Sequence, residues 1–217
     1  MTDDIPPGET QKRPRGRPKM ASDDSRRVMV IDCARKTFVE LGFAGTTTDI
    51  VAARCKISKQ TLYRLFASKS ELFLAIVIAH RQMMLDLPRP AGEDLPVVET
   101  LARIFRLDID EAADREREAF VHLVIRESTQ FPEIGDMLYR DGLLQSLHLL
   151  ADWLTQQTVA GRMQIDDSLS GARMLMDMIF GGKGPPGPAR RDWLTSETRP
   201  QHLRRCLEIF ARGTRPL

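Results

Sequence analysis

The sequence contains no long hydrophobic run. Its longest stretch of apolar residues is Leu72–Ala79, whereas a membrane-spanning helix needs roughly 20 consecutive apolar residues. The N-terminus also lacks the basic start and apolar core that are typical of a secretory signal peptide. We therefore expect a cytoplasmic protein that does not enter the membrane.

Cysteine and histidine are scarce and scattered. The 217 residues include four histidines and three cysteines, which are Cys33, Cys55 and Cys206. Widely separated cysteines in an odd number are typical of a reducing compartment, where each thiol acts as a small apolar side chain. No spacing matches a CxxC pair or a Cys/His zinc motif. We expect neither a metal nor another cofactor.

Common catalytic motifs are absent as well. The sequence has no GxSxG or HExxH, the patterns of many hydrolases and zinc proteases. The segment Gly181–Gly184 resembles a phosphate-binding loop. It lacks the first glycine at the required distance and the following serine or threonine. We therefore predict that the protein is not an enzyme.

Charges of both signs are present, but they are unevenly distributed. The net charge of the chain is +2, yet residues 1–75 carry 14 Lys/Arg against 9 Asp/Glu, and the remainder carries 18 against 21. A basic N-terminal third on a mildly acidic body indicates a polyanionic partner for that third. A solvated basic tail is the alternative interpretation.

Residues 1–22 are rich in proline, glycine and charge and have no apolar periodicity, which predicts a disordered arm. Its Pro-Arg-Gly-Arg-Pro centre resembles an AT-hook, in which arginines enter a narrow A·T-rich minor groove. The predicted minor-groove residues are Arg13, Arg15, Arg17 and Lys19. A generic basic tail is the alternative. In both cases, deletion of the arm should make the salt dependence of DNA affinity shallower.

From Val30 onward, hydrophobic residues recur at three- and four-residue steps, which is typical of amphipathic helices. Gly42 lies where a helix end favours positive φ. Capping signals at Thr46, Ser58 and Ser68 predict the starts of three further helices. The later helices are expected at about residues 96–109, 115–130, 132–161, 167–181 and 200–213, with a loop over 183–190. The predicted fold class is all-α, with about nine helices.

Two short helices joined by a tight turn and preceded by a third form a helix-turn-helix arrangement. Over residues 28–75 the sequence resembles the TetR/AcrR family of transcription regulators. The matching positions are Val30-Ile31-Asp32-Cys33-Ala34, Phe38, Gly42-Phe43, Thr46-Thr47, Val51-Ala52, Ile57-Ser58, Thr61-Leu62-Tyr63, Phe66, Lys69 and Glu71-Leu72. The chain departs from the family pattern at Lys56, where glycine is usual and where positive φ would cost strain.

The second helix of such a motif lies in the major groove, with its N-terminal residues facing base edges. Glutamine can pair with adenine there, and arginine or lysine with guanine. The resemblance further implies that Thr47, Tyr63 and Lys69 hold phosphates. The complete predicted set of DNA-binding residues is Thr46, Thr47, Lys59, Gln60, Thr61, Tyr63, Arg64 and Lys69. Leu62 and Phe66 should face the core.

The resemblance also implies three domains: the arm (1–22), a DNA-binding domain (23–86) and an effector-binding and dimerisation domain (87–217). A homodimer would bind a palindromic operator, and a small-molecule effector would release it. Candidate dimer contacts are Leu169, Met174, Met178, Leu203, Leu207 and Phe210, with intramolecular core as the alternative.

Possible pocket residues are His122, Arg126, Met137, Tyr139, His148 and Trp153. None is assigned as ligand-binding, because a lone His or Trp on an apolar helix is more often core. The expected function is that of a repressor. An activator, or an architectural A·T-preferring protein without an effector, is the alternative.

Overall fold

The computed structural model describes residues 23–90, 92–181 and 198–216. All regular structure in these ranges is helical, which confirms the predicted fold class. The helices are α1 (Asp23–Gly45), α2 (Thr48–Arg54), α3 (Lys59–Leu65), α4 (Lys69–Met84), α5 (Val97–Ile104), α6 (Glu111–Glu127), α7 (Pro132–Met137), α8 (Gln145–Val159), α9 (Ser168–Phe180) and α10 (Arg199–Gly213). The predicted arm (1–22) and the predicted loop (183–190) lie outside the described residues.

Helices α1 to α3 form the helix-turn-helix unit. Gly42 interrupts α1 with φ 76° and ψ 170°, a conformation that glycine adopts far more readily than other residues. Thr47 caps α2, since its Oγ1 accepts a hydrogen bond from the Ile50 N–H at 3.2 Å. The cap thus lies one residue after the predicted Thr46. Ser58 caps α3 as predicted.

The predicted capping box at the start of α4 is confirmed. The hydroxyl oxygen of Ser68 accepts a hydrogen bond from the Glu71 N–H at 3.0 Å. The Glu71 carboxylate in turn accepts from the Ala67 N–H at 2.7 Å, one residue before the cap. These bonds satisfy backbone donors that the helix itself leaves unpaired.

Three later boundaries differ from the predictions. Helix α5 ends at Ile104, before Arg106 with its positive φ of 50°. Helix α6 begins earlier than predicted because Asp110 caps it. The helix predicted over 132–161 is divided into α7 and α8 by a π-helical segment, Leu138–Leu144. Within that segment, Gly142 packs closely against Val77 of α4.

The helices enclose two apolar cores. The first core joins α1–α4 to Phe120, Leu123 and Val124 of α6 and to Ile134 of α7. The second core contains α5 and α8–α10, together with the end of α4. The helix-turn-helix unit therefore shares its core with helices of the second half. The predicted domain boundary after residue 86 stays a prediction.

Candidate nucleic-acid interface and internal cavity

Helix α3 has a buried face and a solvent-exposed face. Leu62 and Phe66 are buried, as predicted, and so is Leu65. The exposed predicted residues are Lys59, Gln60, Tyr63 and Arg64. Thr61 is half-buried, and its Oγ1 lies 2.8 Å from Oγ of Ser58. The exposed face combines two cations, an amide and a phenol, a set suited to base edges and phosphates.

Contacts from α2 hold two of these exposed side chains. The Tyr63 hydroxyl lies 3.1 Å from Oγ1 of Thr48. The Lys59 ammonium lies 2.6 Å from the Asp49 carboxylate. Sequence reasoning did not identify Thr48 or Asp49, although both lie in the first turn of α2, where an N-terminal helix end approaches α3. Helix α2 therefore orders the exposed face of α3.

Arg64 is held by the first residue of α1. Its Nη2 donates to Oδ1 of Asp23 at 2.8 Å, and its Nη1 donates to Oδ2 of the same carboxylate. This hydrogen bond from Arg64 lowers the pKa of the Asp23 carboxyl. Both side chains are exposed. The guanidinium thus lies where the N-terminal arm joins the helical body.

Lys69 is half-buried beside the end of α1. Its ammonium donates to the Phe43 carbonyl and lies 4.1 Å from the centroid of the Phe43 ring. Burial lowers the pKa of Lys69. The adjacent Phe43 N–H donates to the carboxylate of Glu127, at the end of α6. The predicted phosphate contact of Lys69 stays a prediction, and Glu127 is a neighbour that sequence reasoning missed.

Thr46 requires a correction. Its side chain is fully buried, and its hydroxyl donates to the Gly42 carbonyl at 2.7 Å. It therefore stabilises the turn after Gly42 and does not present its side chain to DNA. Thr47 is exposed, and its oxygen accepts the cap hydrogen bond, which leaves its hydroxyl proton available to a phosphate. Arg13, Arg15, Arg17 and Lys19 lie outside the described residues.

A cavity of about 450 Å³ lies between α4, α6 and the π-helical segment. This volume falls within the range of small-molecule sites. Most of its wall is apolar, and its polar or charged side chains are His80, Arg81, Ser128, Tyr139 and Ser146. Of the six possible pocket residues suggested by the sequence, only Tyr139 lines this cavity. The other five lie on helices that border the cavity, but their side chains do not line it.

His80 is an unusual member of the cavity wall. It is 2% exposed, and neither ring nitrogen has a hydrogen-bond partner. Its ring lies 4.8 Å from the ring of Phe120. Burial, followed by the charges of Arg35 and Arg117, lowers the pKa of His80 to about 4. The imidazole is therefore neutral near pH 7 and can donate one hydrogen bond and accept another.

Within the described part of the chain, polar contacts at two places connect the helix-turn-helix unit to α6. The first is the bond between the Phe43 N–H and Glu127. The second joins the buried guanidinium of Arg35 in α1 to the carboxylate of Glu116 at 2.8 Å. Since α6 also supplies part of the cavity wall, the cavity and the helix-turn-helix unit share a structural element.

The predicted dimer stripe divides into a buried group, an exposed pair and Met178, which is half-buried against the second core. Leu203, Leu207 and Phe210 are buried in the second core of the same chain, so their assignment as dimer contacts was wrong and the intramolecular alternative holds. Leu169 and Met174 on α9 are 45% and 58% exposed. They remain available to a second copy, and dimerisation through them stays a prediction.

The described ranges contain no cluster of three or more His, Cys, Asp or Glu side chains that could hold a metal ion. In the same ranges, no helix combines the length and the apolar character needed to cross a membrane.

Comparisons with known protein families decide the identity of the chain. Residues 30–76 match the model of bacterial regulatory proteins of the tetR family. Residues 99–213 match the model described as the C-terminal domain of AefR-like transcriptional repressors. The chain belongs to the TetR family. Members of this family are DNA-binding transcription regulators and not enzymes.

Individual relatives agree with the assignment to the TetR family. FasR, an HTH-type transcriptional activator from Mycolicibacterium smegmatis, is 37% identical over 73 residues. This match covers 32% of the chain and only 33% of FasR. A TetR-family regulator from Mesorhizobium loti superimposes with a TM-score of 0.67 at 20% identity, covering 90% of this chain and 100% of that one. The structure of the Flavonoid-responsive Regulator FrrA superimposes with a TM-score of 0.59 at 27% sequence identity. The superposition covers 89% of this chain and 98% of FrrA.

Proposed function

We propose that this TetR-family protein is a sequence-specific repressor that binds a palindromic operator as a homodimer and is released by a small molecule in the cavity. The observation that carries the proposal is the exposed face of α3, where Gln60, Tyr63 and Arg64 lie together. Their neighbours in α1 and α2 hold two of these side chains in place before DNA is present.

The exposed face of α3 supports major-groove recognition. Each good bidentate contact between a side chain and a base discriminates by about 1–3 kcal/mol, so one short helix reads too few base pairs alone. A two-fold dimer places two copies about 34–36 Å apart, one turn of DNA. The exposed Leu169 and Met174 of α9 support a dimer surface on the opposite half of the chain.

The cavity supports a small-molecule signal. Val124, Ile125 and Ser128 line it, and they flank Glu127, which bonds the Phe43 N–H beside the helix-turn-helix unit. A ligand that shifts the end of α6 would therefore move the DNA-binding helices. Useful coupling needs about 1–3 kcal/mol between the two sites. The name of FrrA, which describes a flavonoid-responsive protein, supports an aromatic effector.

The family model that matches the C-terminal half supports repression as the sign of regulation. The family model that matches residues 99–213 is described as that of transcriptional repressors. FasR is named an activator, which makes activation the second candidate. However, the FasR match covers only a third of either chain, whereas the repressor model covers the greater part of the C-terminal half. We therefore propose repression, in the cytoplasm, where the operator is accessible.

The test is footprinting of the DNA upstream of the protein's own gene, at about 0.15 M salt with excess competitor DNA. A protected palindrome of roughly 15–30 base pairs is expected for a dimer. Arg64→Ala should weaken operator binding by roughly 5- to 150-fold, which corresponds to loss of a base contact. Arg103→Ala, which removes the same charge from an exposed position on α5, is the control and should bind normally.

Two other outcomes would contradict the proposal. Diffuse binding that is equally strong on random A·T-rich DNA and is lost with residues 1–22 would indicate an architectural protein. Specific operator binding that increases transcription from the adjacent promoter in vitro would indicate an activator.

A further inference from the structure

We infer that the cavity takes a flat, largely apolar molecule, neutral or anionic, whose polar end is an oxygen atom of the phenol type hydrogen-bonded to the imidazole of His80. The inference rests on the proposed function, because it names the chemical class of the effector.

The ring nitrogens of His80 are buried without a hydrogen-bond partner. Among the described residues that line the cavity, His80 is the one whose buried side-chain nitrogens lack any partner. A buried polar group without a partner costs about 1–3 kcal/mol. A ligand that brings a hydroxyl or carbonyl oxygen to the ring removes this cost, whereas a purely apolar ligand leaves it in place.

Charges around the cavity favour an oxygen and disfavour a cation. The wall includes Arg81 but no aspartate or glutamate. The positive charges of Arg35 in α1 and Arg117 in α6 also act on the ring of His80 and lower its pKa. These two arginines are paired with Glu116, Asp32 and Asp114, yet they still disfavour a positive charge on the ring. A ligand ammonium would face the same unfavourable potential.

The remaining wall favours a flat aromatic body. Phe180 and Tyr139 contribute rings, and Met84 and Met176 contribute thioethers, which contact aromatic rings favourably. Ile125, which is 62% exposed, lines the same cavity together with the exposed Tyr139 and Leu143. This apolar rim gives an aromatic ligand a route from solvent to His80.

The experiment uses titration calorimetry to measure how tightly three biphenyl probes bind to the full-length protein. They are 4-phenylphenol, 4-methylbiphenyl and 4-phenylbenzylamine, which place a hydroxyl, a methyl or a cation at the same end. The phenol should bind roughly five- to tenfold more tightly than the methyl compound, as one neutral hydrogen bond predicts. The amine should bind most weakly. Val121→Trp, which narrows the cavity from α6, should weaken binding of all three.

Two variants assign the preference to His80. In His80→Leu the phenol and the methyl compound should bind equally, and in His80→Gln part of the phenol preference should return. Thermal unfolding of each variant establishes that it is folded. Equal binding of phenol and methyl compound by the unmodified protein, no binding of any probe, tighter binding of the amine, or an unchanged preference in His80→Leu would each overturn the inference.

Operator release is measured separately, with 4-phenylphenol at saturation. Binding of the phenol through His80 without any weakening of operator affinity would contradict the proposed function and leave the ligand chemistry standing. Operator release by all uncharged probes without a preference for oxygen would support the proposed function and overturn the ligand chemistry.

Discussion

Arg64 is paired with an anion before any DNA is bound. The Asp23 carboxylate accepts two hydrogen bonds from its guanidinium, and a DNA base or phosphate must compete with that carboxylate. Exposed ion pairs contribute about 0–1 kcal/mol, so the competition is modest. Asp23 therefore adjusts the affinity of the α3 surface without blocking it.

We expect Asp23→Asn to bind operator DNA up to about fivefold more tightly, because Arg64 no longer has to exchange a carboxylate for the DNA. Fluorescence anisotropy with a labelled operator measures this change. Asp24→Asn is the control, since it removes the same charge one residue away from the pair with Arg64. Weaker binding by Asp23→Asn would show that the carboxylate instead holds Arg64 in its DNA-binding position.

The buried His80 makes stability depend on pH. Its folded-state pKa of about 4 lies below the unfolded value of about 6.5, so the unfolded chain binds more protons between these two values. Stability should therefore fall as the pH drops, by about 2 kcal/mol between pH 7 and pH 5. Urea unfolding at both pH values measures this loss. His80→Leu should lack this component, whereas the control His122→Leu should keep it.

Single residues show where sequence reasoning stops. Ser58 and Ser68 were predicted as caps because a cap and its partner lie within four residues. Thr46 and Thr47 are adjacent threonines, and no sequence signal shows which of them caps α2. The backbone turn at Gly42 buries Thr46 and leaves Thr47 as the cap. The pair of Arg64 with Asp23 spans 41 residues, so it depends on how α1 packs against α3, which no local pattern contains.

The turn between α2 and α3 contains the strained backbone position of the helix-turn-helix motif. Lys56 has φ 55°, in the left-handed region that costs an ordinary residue about 1 kcal/mol or more. Lys56→Gly should therefore raise the free energy of unfolding by about 0.5–1 kcal/mol, after allowing for the greater entropy of glycine in the unfolded chain.

Urea denaturation with an unchanged m-value measures the effect of Lys56→Gly. Ala53→Gly is the matched control in the adjacent helical turn and should lower stability by about 1 kcal/mol. A loss of stability in both variants would mean that Lys56 stabilises the turn through its side chain, and that the left-handed backbone carries no strain.

The prediction of one helix over 132–161 gave both ends correctly. It was wrong in treating the helix as continuous, because a π-helical segment divides it. Pro132 and Gly161 are local signals, and both ends were predicted from them. The π-helical segment Leu138–Leu144 has no comparable local signal. It packs against α4, where Gly142 lies beside Val77. Because the segment also lines the cavity, the position of the cavity could not be predicted from the same signals.

For the whole molecule, the aromatic cluster around Phe73 joins the two halves. The centroid of the Phe73 ring lies 5.3 Å from that of Phe38 in α1 and 5.7 Å from that of Phe120 in α6. The family resemblance identified the DNA-binding helices from residues 28–75 alone. It did not indicate that these helices complete their core with side chains from α6 and α7.

This shared core predicts that residues 1–86 do not form a stable domain alone. The fragment lacks Phe120, Leu123, Val124 and Ile134, each of which contributes about 1.5–3 kcal/mol when buried. Their sum of about 6–12 kcal/mol is comparable to the whole stability of a typical domain. In urea, the fragment should show no cooperative transition by circular dichroism, whereas the full chain should unfold in one step. A sigmoidal transition of the fragment, together with operator binding, would show instead that α6 and α7 only rest on an independent DNA-binding domain. In that case the effector signal would have to pass through the polar contacts of Glu127 and Glu116 alone.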